Sequence, residues 1–155
     1  MRYALGMTLD EYTSALDGVL QAHAGPAHAT LDALIAALPP RAREIHIAVF
    51  PDQDGTGTFS IVASLDGPDM FVLNKAIEGH RYLFDVRYTE RGVEPDVPLL
   101  DGGGTGFDVQ DAVVDTGMRW VETLVRARDP APLPVLIYGE EGYGTLAPIV
   151  IATEP

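Results

Sequence analysis

Residues 108–128 read DVQDAVVDTGMRWVETLVRAR and form the longest stretch of this chain with an unbroken helical period. Asp108 is predicted to be the N-cap, since its carboxylate can accept a free N–H of the first turn. The acid–base pairs Asp115–Arg119 and Glu122–Arg126 are spaced for the solvent-exposed side. Apolar or small residues recur at steps of three and four and so share one face: Val109, Ala112, Val113, Thr116, Trp120, Val121, Leu124 and Val125. The sequence therefore predicts an amphipathic helix that packs on the core.

Two residues of this helix carry further expectations. Trp120, the only tryptophan of the chain, is predicted to be buried, with its indole N–H bonded to an acceptor. Gly117 costs a helix about 1 kcal/mol relative to alanine. We therefore expect the backbone of a strand to approach this helix closely at Gly117.

The order of local patterns around the helix predicts the fold class. Thr8 and Glu11 have the spacing of a capping box and begin a helical pair. Alternating apolar positions start at Ile45 and predict strands, most of them joined by connections of hairpin length. The sequence therefore predicts an α+β fold of two layers. Its sheet is mainly antiparallel with about five to seven strands, and the helical pair and the long helix pack on it.

Two segments between residues 70 and 100 are harder to assign. Met70–Ile77 fits a strand or a short helix, and Phe71 and Val72 favour the strand. Residues 82–88 alternate in character and are predicted to form one strand. The prolines at 95 and 98 indicate an edge strand in the segment that follows.

Length and composition limit the class of protein. A chain of 155 residues favours one domain over residues 1–155, with residues 1–7 expected to be disordered or vector-derived and Met7 an alternative start. No cysteine is present, which excludes disulfides and thiolate metal sites. No apolar run reaches the 18 residues of a membrane span, and the N-terminus does not resemble a secretory signal. We therefore expect a cytoplasmic protein.

The charge balance indicates what the protein contacts. Twenty-three acids face ten bases, which gives a net charge of −13. Nucleic acids and anionic membranes are disfavoured as partners because both are negatively charged. A basic protein partner would be attracted. The alternative is that the charge serves only solubility.

Two glycine-containing segments have some features of ligand-binding loops. Asp52–Gly57 resembles the opening of a calcium loop, but the twelfth position, where an EF-hand has glutamate, is Ala63. A hairpin turn is predicted there instead. Asp101–Gly106 precedes a helix but lacks the spacing of a phosphate-binding loop, so a flexible connection is expected. No metal site and no cofactor are predicted.

The histidines are the best candidates for acid–base chemistry. None of the four lies at the four-residue helical spacing of a zinc motif. Glu44 and His46 share a strand face, as Glu78 and His80 would in an extended segment. In either pair the carboxylate could orient the imidazole. No residue is assigned as catalytic, and an enzyme with a Glu/His or carboxylate site stays open as an alternative.

Acidic loops are the predicted partner-binding sites. Glu140, Glu141 and Tyr143 lie in a glycine-rich hairpin loop, and Asp52 and Asp54 form a second candidate patch. A tyrosine among acids can anchor a protein contact. The preferred hypothesis is a non-enzymatic binding protein, most concretely an inhibitor or immunity protein that occludes a basic partner such as a bacterial toxin. A structural or homo-oligomeric subunit is the third alternative.

Overall fold

The computed structural model describes residues 6–100, 106–128 and 131–153. Most of the proposed N-terminal extension (1–7) and of the glycine-rich connection (101–106) lies outside these ranges. The helices are α1 (Leu9–Ala22), α2 (Ala24–Ala36), α3 (Met70–Ala76) and α4 (Val109–Arg126). The strands are β1 (Glu44–Pro51), β2 (Phe59–Asp66), β3 (Tyr82–Asp85), β4 (Arg87–Thr89), β5 (Gly92–Glu94), β6 (Val135–Gly139) and β7 (Ile149–Ile151). Short 3₁₀ turns cover Glu78–His80 and Glu140–Gly142.

Five strands form one mixed sheet in the order β3-β2-β1-β6-β7, and β4 and β5 form a separate ribbon. Three strand pairs of the large sheet are antiparallel, and the pair β1–β6 is parallel, with Ile45 opposite Val135. The α+β prediction with a mainly antiparallel sheet is therefore confirmed. The parallel pair gives β1 and β6 a common carboxyl end.

One face of the sheet is covered by helices and the other is open. Ile45, Ile47 and Val49 of β1 are buried in the core that includes α1, α2 and α4. Residues at alternating positions, such as His46, point to the opposite face, and His46 is only half-buried. None of the helices in the described ranges is long and apolar enough to cross a membrane.

Helix α4 follows its prediction closely. The Asp108 carboxylate accepts the Asp111 N–H at 2.9 Å, and all eight positions of the predicted apolar face are buried. Trp120 is 3% exposed and meets the ring of Phe84 edge-on. Its indole N–H, however, has no hydrogen-bond partner among the residues described, contrary to expectation. Glu122 pairs with Arg126 at 2.9 Å.

The strand prediction for Met70–Ile77 is wrong, because α3 occupies this segment. Asp69 begins the helix in a left-handed conformation and caps the N–H of Val72. The side-chain amide of Asn74 accepts from the Leu65 N–H at 2.8 Å and donates to the Leu65 carbonyl at 3.1 Å. The Asn74 side chain therefore satisfies the backbone N–H and carbonyl of Leu65, which a neighbouring strand would otherwise bond. Three apolar side chains of the helix remain exposed: Met70, Phe71 and Val72.

The predicted strand over residues 82–88 is divided at Val86. β3 ends at Asp85 and belongs to the large sheet, whereas β4 starts at Arg87 and belongs to the ribbon. The Val86 N–H still donates to the Phe59 carbonyl at 3.1 Å. Pro95 and Pro98 come directly after the ribbon. They are consistent with the short length of β5, which ends at Glu94.

Candidate functional site

A shallow cleft of about 480 Å³ lies on the open side of the sheet, between β6 and the loop that joins β6 to β7. His46 and Tyr138 line it from the sheet, and Tyr143 lines it from the loop. The rest of its wall is formed by Leu136, Gly139, Gly142, Gly144, Leu146 and Pro148. The cleft therefore joins a candidate histidine for acid–base chemistry to the candidate tyrosine for partner binding.

Tyr143 and Tyr138 are both half-buried. Tyr143 packs against the edge of the core and also lines the cleft. Burial, followed by the nearby charge of Glu140, raises the pKa of the Tyr138 phenol. Tyr138 therefore keeps its proton at neutral pH and can donate a hydrogen bond into the cleft.

His46 belongs to a polar cluster at the start of β1. Its Nε2 lies 2.9 Å from Oε2 of Glu44, which confirms that these two side chains share a strand face. Asp66 is the cross-strand partner of Glu44, and one ligand atom from each of the three side chains lies within 4.8 Å of the others. Asp66 is not among the candidates predicted from the sequence, because its position opposite Glu44 depends on the register of β2.

The second Glu/His candidate has a different geometry. Glu78 and His80 lie in a 3₁₀ turn and not in a strand. Their side chains were expected to share a face only if this segment were extended, so that expectation does not apply. His23 packs edge-on against Phe84 with a ring separation of 5.0 Å. Burial lowers the pKa of His23, partly offset by a hydrogen bond to the backbone of Leu83. His23 is therefore a half-buried histidine that packs against the core through Phe84.

The two acidic patches predicted from the sequence are brought to the same edge of the sheet. The turn with Asp52 and Asp54 follows β1, and the loop with Glu140 and Glu141 follows β6. β1 and β6 are parallel neighbours, with Val49 opposite Gly139. We call this region the acidic edge: Asp52, Asp54, Glu140 and Glu141, together with Asp108, Asp111 and Asp115 of the adjoining α4 segment.

The beginning of α4 holds both loops of the acidic edge. The side-chain amide of Gln110 donates to the Asp52 carbonyl at 2.9 Å. Asp111 accepts the Gly144 N–H at 2.8 Å, and Asp115 accepts the N–H groups of Thr145 and Leu146 at 2.8 and 3.2 Å. Asp115 therefore binds this loop and not Arg119, the partner that was expected from the sequence.

Carboxylates of the acidic edge fall into two groups. Asp52 accepts from the N–H and the hydroxyl of Thr56, and the three α4 aspartates are engaged as described above. Among the residues described, the carboxylates of Asp54, Glu140 and Glu141 have no hydrogen-bond or ion-pair partner. These three can therefore meet a second molecule without loss of an internal bond.

Glycines are required where the loop passes α4. A Cβ at Gly139 would lie 2.2 Å from the Tyr143 carbonyl oxygen and 2.5 Å from a methyl of Val114. Gly144 has a φ of +96°, and a Cβ there would lie 2.6 Å from the same methyl. Gly139 and Gly144 therefore allow the loop to pack closely on α4.

Comparison with known proteins identifies the family of this chain but does not assign it a function. No curated protein and no solved structure is significantly similar to the chain. One family model matches residues 7–153 and is described as a family of unknown function (DUF6389). Because this match covers nearly the whole chain, the protein belongs to that family.

Proposed function

We propose that this chain is a small non-enzymatic binding protein of the cytoplasm that occludes a basic protein partner. Its most concrete form is an inhibitor or immunity protein directed against a basic toxin. The observation that carries the proposal is the acidic edge, where two loops distant in sequence meet beside α4. The two candidate patches predicted from the sequence lie at the same end of the sheet, which supports their use by one partner.

The charges of the acidic edge are suited to attract such a partner. Asp54, Glu140 and Glu141 have no internal partner in the described part of the chain. The overall charge of −13 adds a long-range field of the same sign. Complementary charge raises the rate of encounter and disfavours acidic competitors.

Basic residues lie toward the opposite edge of the sheet. Arg41 and Arg43 precede β1, and Arg126 and Arg128 lie at the end of α4. The segment after α4 leads into β6, whose first residue is opposite Ile45 near the start of β1. The same end also holds acids: Glu122 pairs with Arg126, Asp32 pairs with Arg128, and Glu44 and Asp66 lie opposite each other on β1 and β2. Charges of both signs are therefore mixed there, whereas Asp54, Glu140 and Glu141 of the acidic edge have no internal ion-pair partner among the described residues.

The cleft beside the acidic edge can supply contact area. Tyr138, Tyr143 and Leu146 offer apolar surface next to the free carboxylates. Asp111 and Asp115 fix the backbone of the loop before any partner arrives. Loops already held in place lose less conformational entropy on binding, which improves affinity.

The proposal is tested by affinity capture with purified chain variants. Wild-type protein and Glu140→Lys/Glu141→Lys are immobilised, exposed to native cytoplasm, and compared by quantitative mass spectrometry. Asp10→Lys/Asp17→Lys is the matched control, because it makes the same charge change at exposed positions of α1. We expect a basic protein that the control retains and the acidic-edge variant loses. A partner that is acidic, or that both variants lose equally, contradicts the proposal.

A second candidate function is supported by the Glu44–His46 pair. Its 2.9 Å contact lies at the cleft, and a carboxylate can orient an imidazole for proton transfer. This is the enzyme alternative. It predicts turnover of a substrate by the isolated protein that is lost in His46→Ala and retained in Glu140→Lys/Glu141→Lys.

A further inference from the structure

The cluster at the start of β1 has the side-chain composition of a metal site, and its ligand atoms lie close together. Glu44, His46 and Asp66 are all half-buried, and one ligand atom from each lies within 4.8 Å of the others. We propose that these three side chains bind a divalent first-row transition-metal ion, for which Zn²⁺ is the appropriate probe. This role is independent of the acidic edge.

Strand geometry places the three ligands on one surface. Glu44 and His46 are two residues apart on β1, so both face the open side of the sheet. Asp66 lies directly opposite Glu44 on the antiparallel neighbour β2. Both strands belong to the large sheet, and a site built on such rigid elements is better preorganised than one on loops.

The arrangement of charge also favours a cation. Like charges directly opposite each other on neighbouring strands are destabilising. Here Glu44 faces Asp66, and within the described ranges the side chain of Asp66 has no ion-pair or hydrogen-bond partner. Glu44 has only the contact with His46 in the same ranges. A doubly charged ion between the two carboxylates would attract both and offset their mutual repulsion.

Donor chemistry indicates which ions fit. An imidazole nitrogen suits Zn²⁺ and other first-row transition metals, whereas Ca²⁺ and Mg²⁺ take oxygen ligands. Three protein ligands leave at least one coordination position for water or another molecule. His46 is 23% exposed and lines the cleft, so that position is accessible from it.

Only small movements are needed to close the site. With Zn²⁺ ligand bonds of about 2.0–2.2 Å, the ligand atoms of a tetrahedral site lie about 3.3–3.6 Å apart. Atoms that now lie within 4.8 Å reach this spacing by side-chain rotation. The ion would replace the direct 2.9 Å contact between His46 Nε2 and Glu44 Oε2.

The experiment is calorimetric titration of chelator-treated, tag-free protein with Zn²⁺. We expect one saturable site in the wild type. His46→Gln and Asp66→Asn should each weaken it by at least about tenfold, because even outer-shell changes cost 10–100-fold in metal affinity. His80→Gln and Asp85→Asn are the matched controls and should bind as the wild type does. Circular dichroism establishes that each variant is folded.

A second measurement needs no substitution. Zn²⁺ should shift the ring ¹⁵N resonances of His46 and leave those of His28 unchanged. The proposal is overturned by absence of a saturable site, by binding that survives both His46→Gln and Asp66→Asn, or by Zn²⁺ shifts confined to other histidines. It is also overturned if Ca²⁺ or Mg²⁺ displaces Zn²⁺ at comparable concentration.

Discussion

Gly117 of α4 lies directly against Val49 of β1. A Cβ built at Gly117 would be 3.2 Å from each of the two methyl carbons of Val49, which is fully buried. A strand does approach α4 closely at this glycine, but the contact is made by the Val49 side chain and not by the strand backbone that was expected. The contact explains why α4 has a residue that is unfavourable for a helix where it crosses the central strand.

The first prediction concerns this contact. Gly117→Ala gains about 1 kcal/mol of helix propensity but overpacks the core at a cost of about 1–3 kcal/mol, so it should destabilise the protein. In a Val49→Ala background the same change should be stabilising, because the obstructing methyl groups are gone. Urea unfolding of the four proteins in this cycle measures the coupling. Equal effects of Gly117→Ala in both backgrounds would contradict the contact.

Trp120 is the subject of the second prediction. It is 3% exposed and packs edge-on against Phe84, so Trp120→Ala should lower the free energy of unfolding by about 3–5 kcal/mol. Trp120→Phe should cost less, because it also removes a buried N–H that has no partner among the described residues. Native fluorescence should be blue-shifted and poorly quenched. An emission maximum like that of free tryptophan would refute the placement.

A third prediction follows from the lowered pKa of His23. Burial lowers its folded pKa below 6.5, so the unfolded chain takes up the proton first as the pH falls. The contribution of neutral His23 is therefore complete above about pH 6.5 and is lost as the pH falls toward the folded pKa.

The test is urea unfolding at three pH values between about 7.5 and 5.5, a window that spans the ordinary histidine pKa. His23→Gln should lessen the loss of stability over this window. His28→Gln is the control and should keep the pH dependence of the wild type. Indistinguishable pH profiles for His23→Gln and the wild type would show that protonation of His23 is not linked to folding.

The fourth prediction is that the Asp52–Gly57 turn binds no calcium more tightly than about 10⁻⁴ M, the range of weak extracellular modules. The Asp52 carboxylate already accepts bonds from Thr56, and the flanking elements are strands. Calcium titration by calorimetry measures this. A micromolar isotherm that disappears in Asp54→Ala would establish a calcium site and reject the hairpin interpretation.

The fifth prediction concerns kinetics of partner binding under the proposed function. Once the partner is known, Glu140→Lys/Glu141→Lys should slow association most at low salt, because salt screens charges beyond about 8–10 Å. Tyr143→Ala should chiefly speed dissociation, because it removes packed contact area. Surface plasmon resonance over a salt series separates the two rates. An association rate that does not change with salt would exclude electrostatic steering.

Local patterns predicted much of this fold. The apolar period and the Asp108 cap determined α4, and the Thr8/Glu11 capping box is present at the start of α1. The prediction for Met70–Ile77 is wrong because residue preferences there favour a strand. The hydrogen bonds of Asn74 to β2 stabilise a helix instead, and they depend on a residue nine positions away.

Features that depend on long-range pairing were not predictable in this way. Glu44 and His46 are related by strand period alone, whereas Asp66 requires the register of β1 on β2. The two acidic loops appear as separate patches in the sequence because no local signal encodes the parallel pairing of β1 with β6. Local patterns therefore identify most of the candidate side chains but not their assembly.

The position of β6 also has a consequence for how the chain is made. Ile45 pairs with Val135, ninety positions later, so β1 has an unpaired edge on the ribosome until the last part of the chain emerges. Pairings of such sequence separation form slowly, and unpaired strand edges favour aggregation. The edge of β1 that pairs with β6 is therefore open to contacts with other chains until β6 has been made.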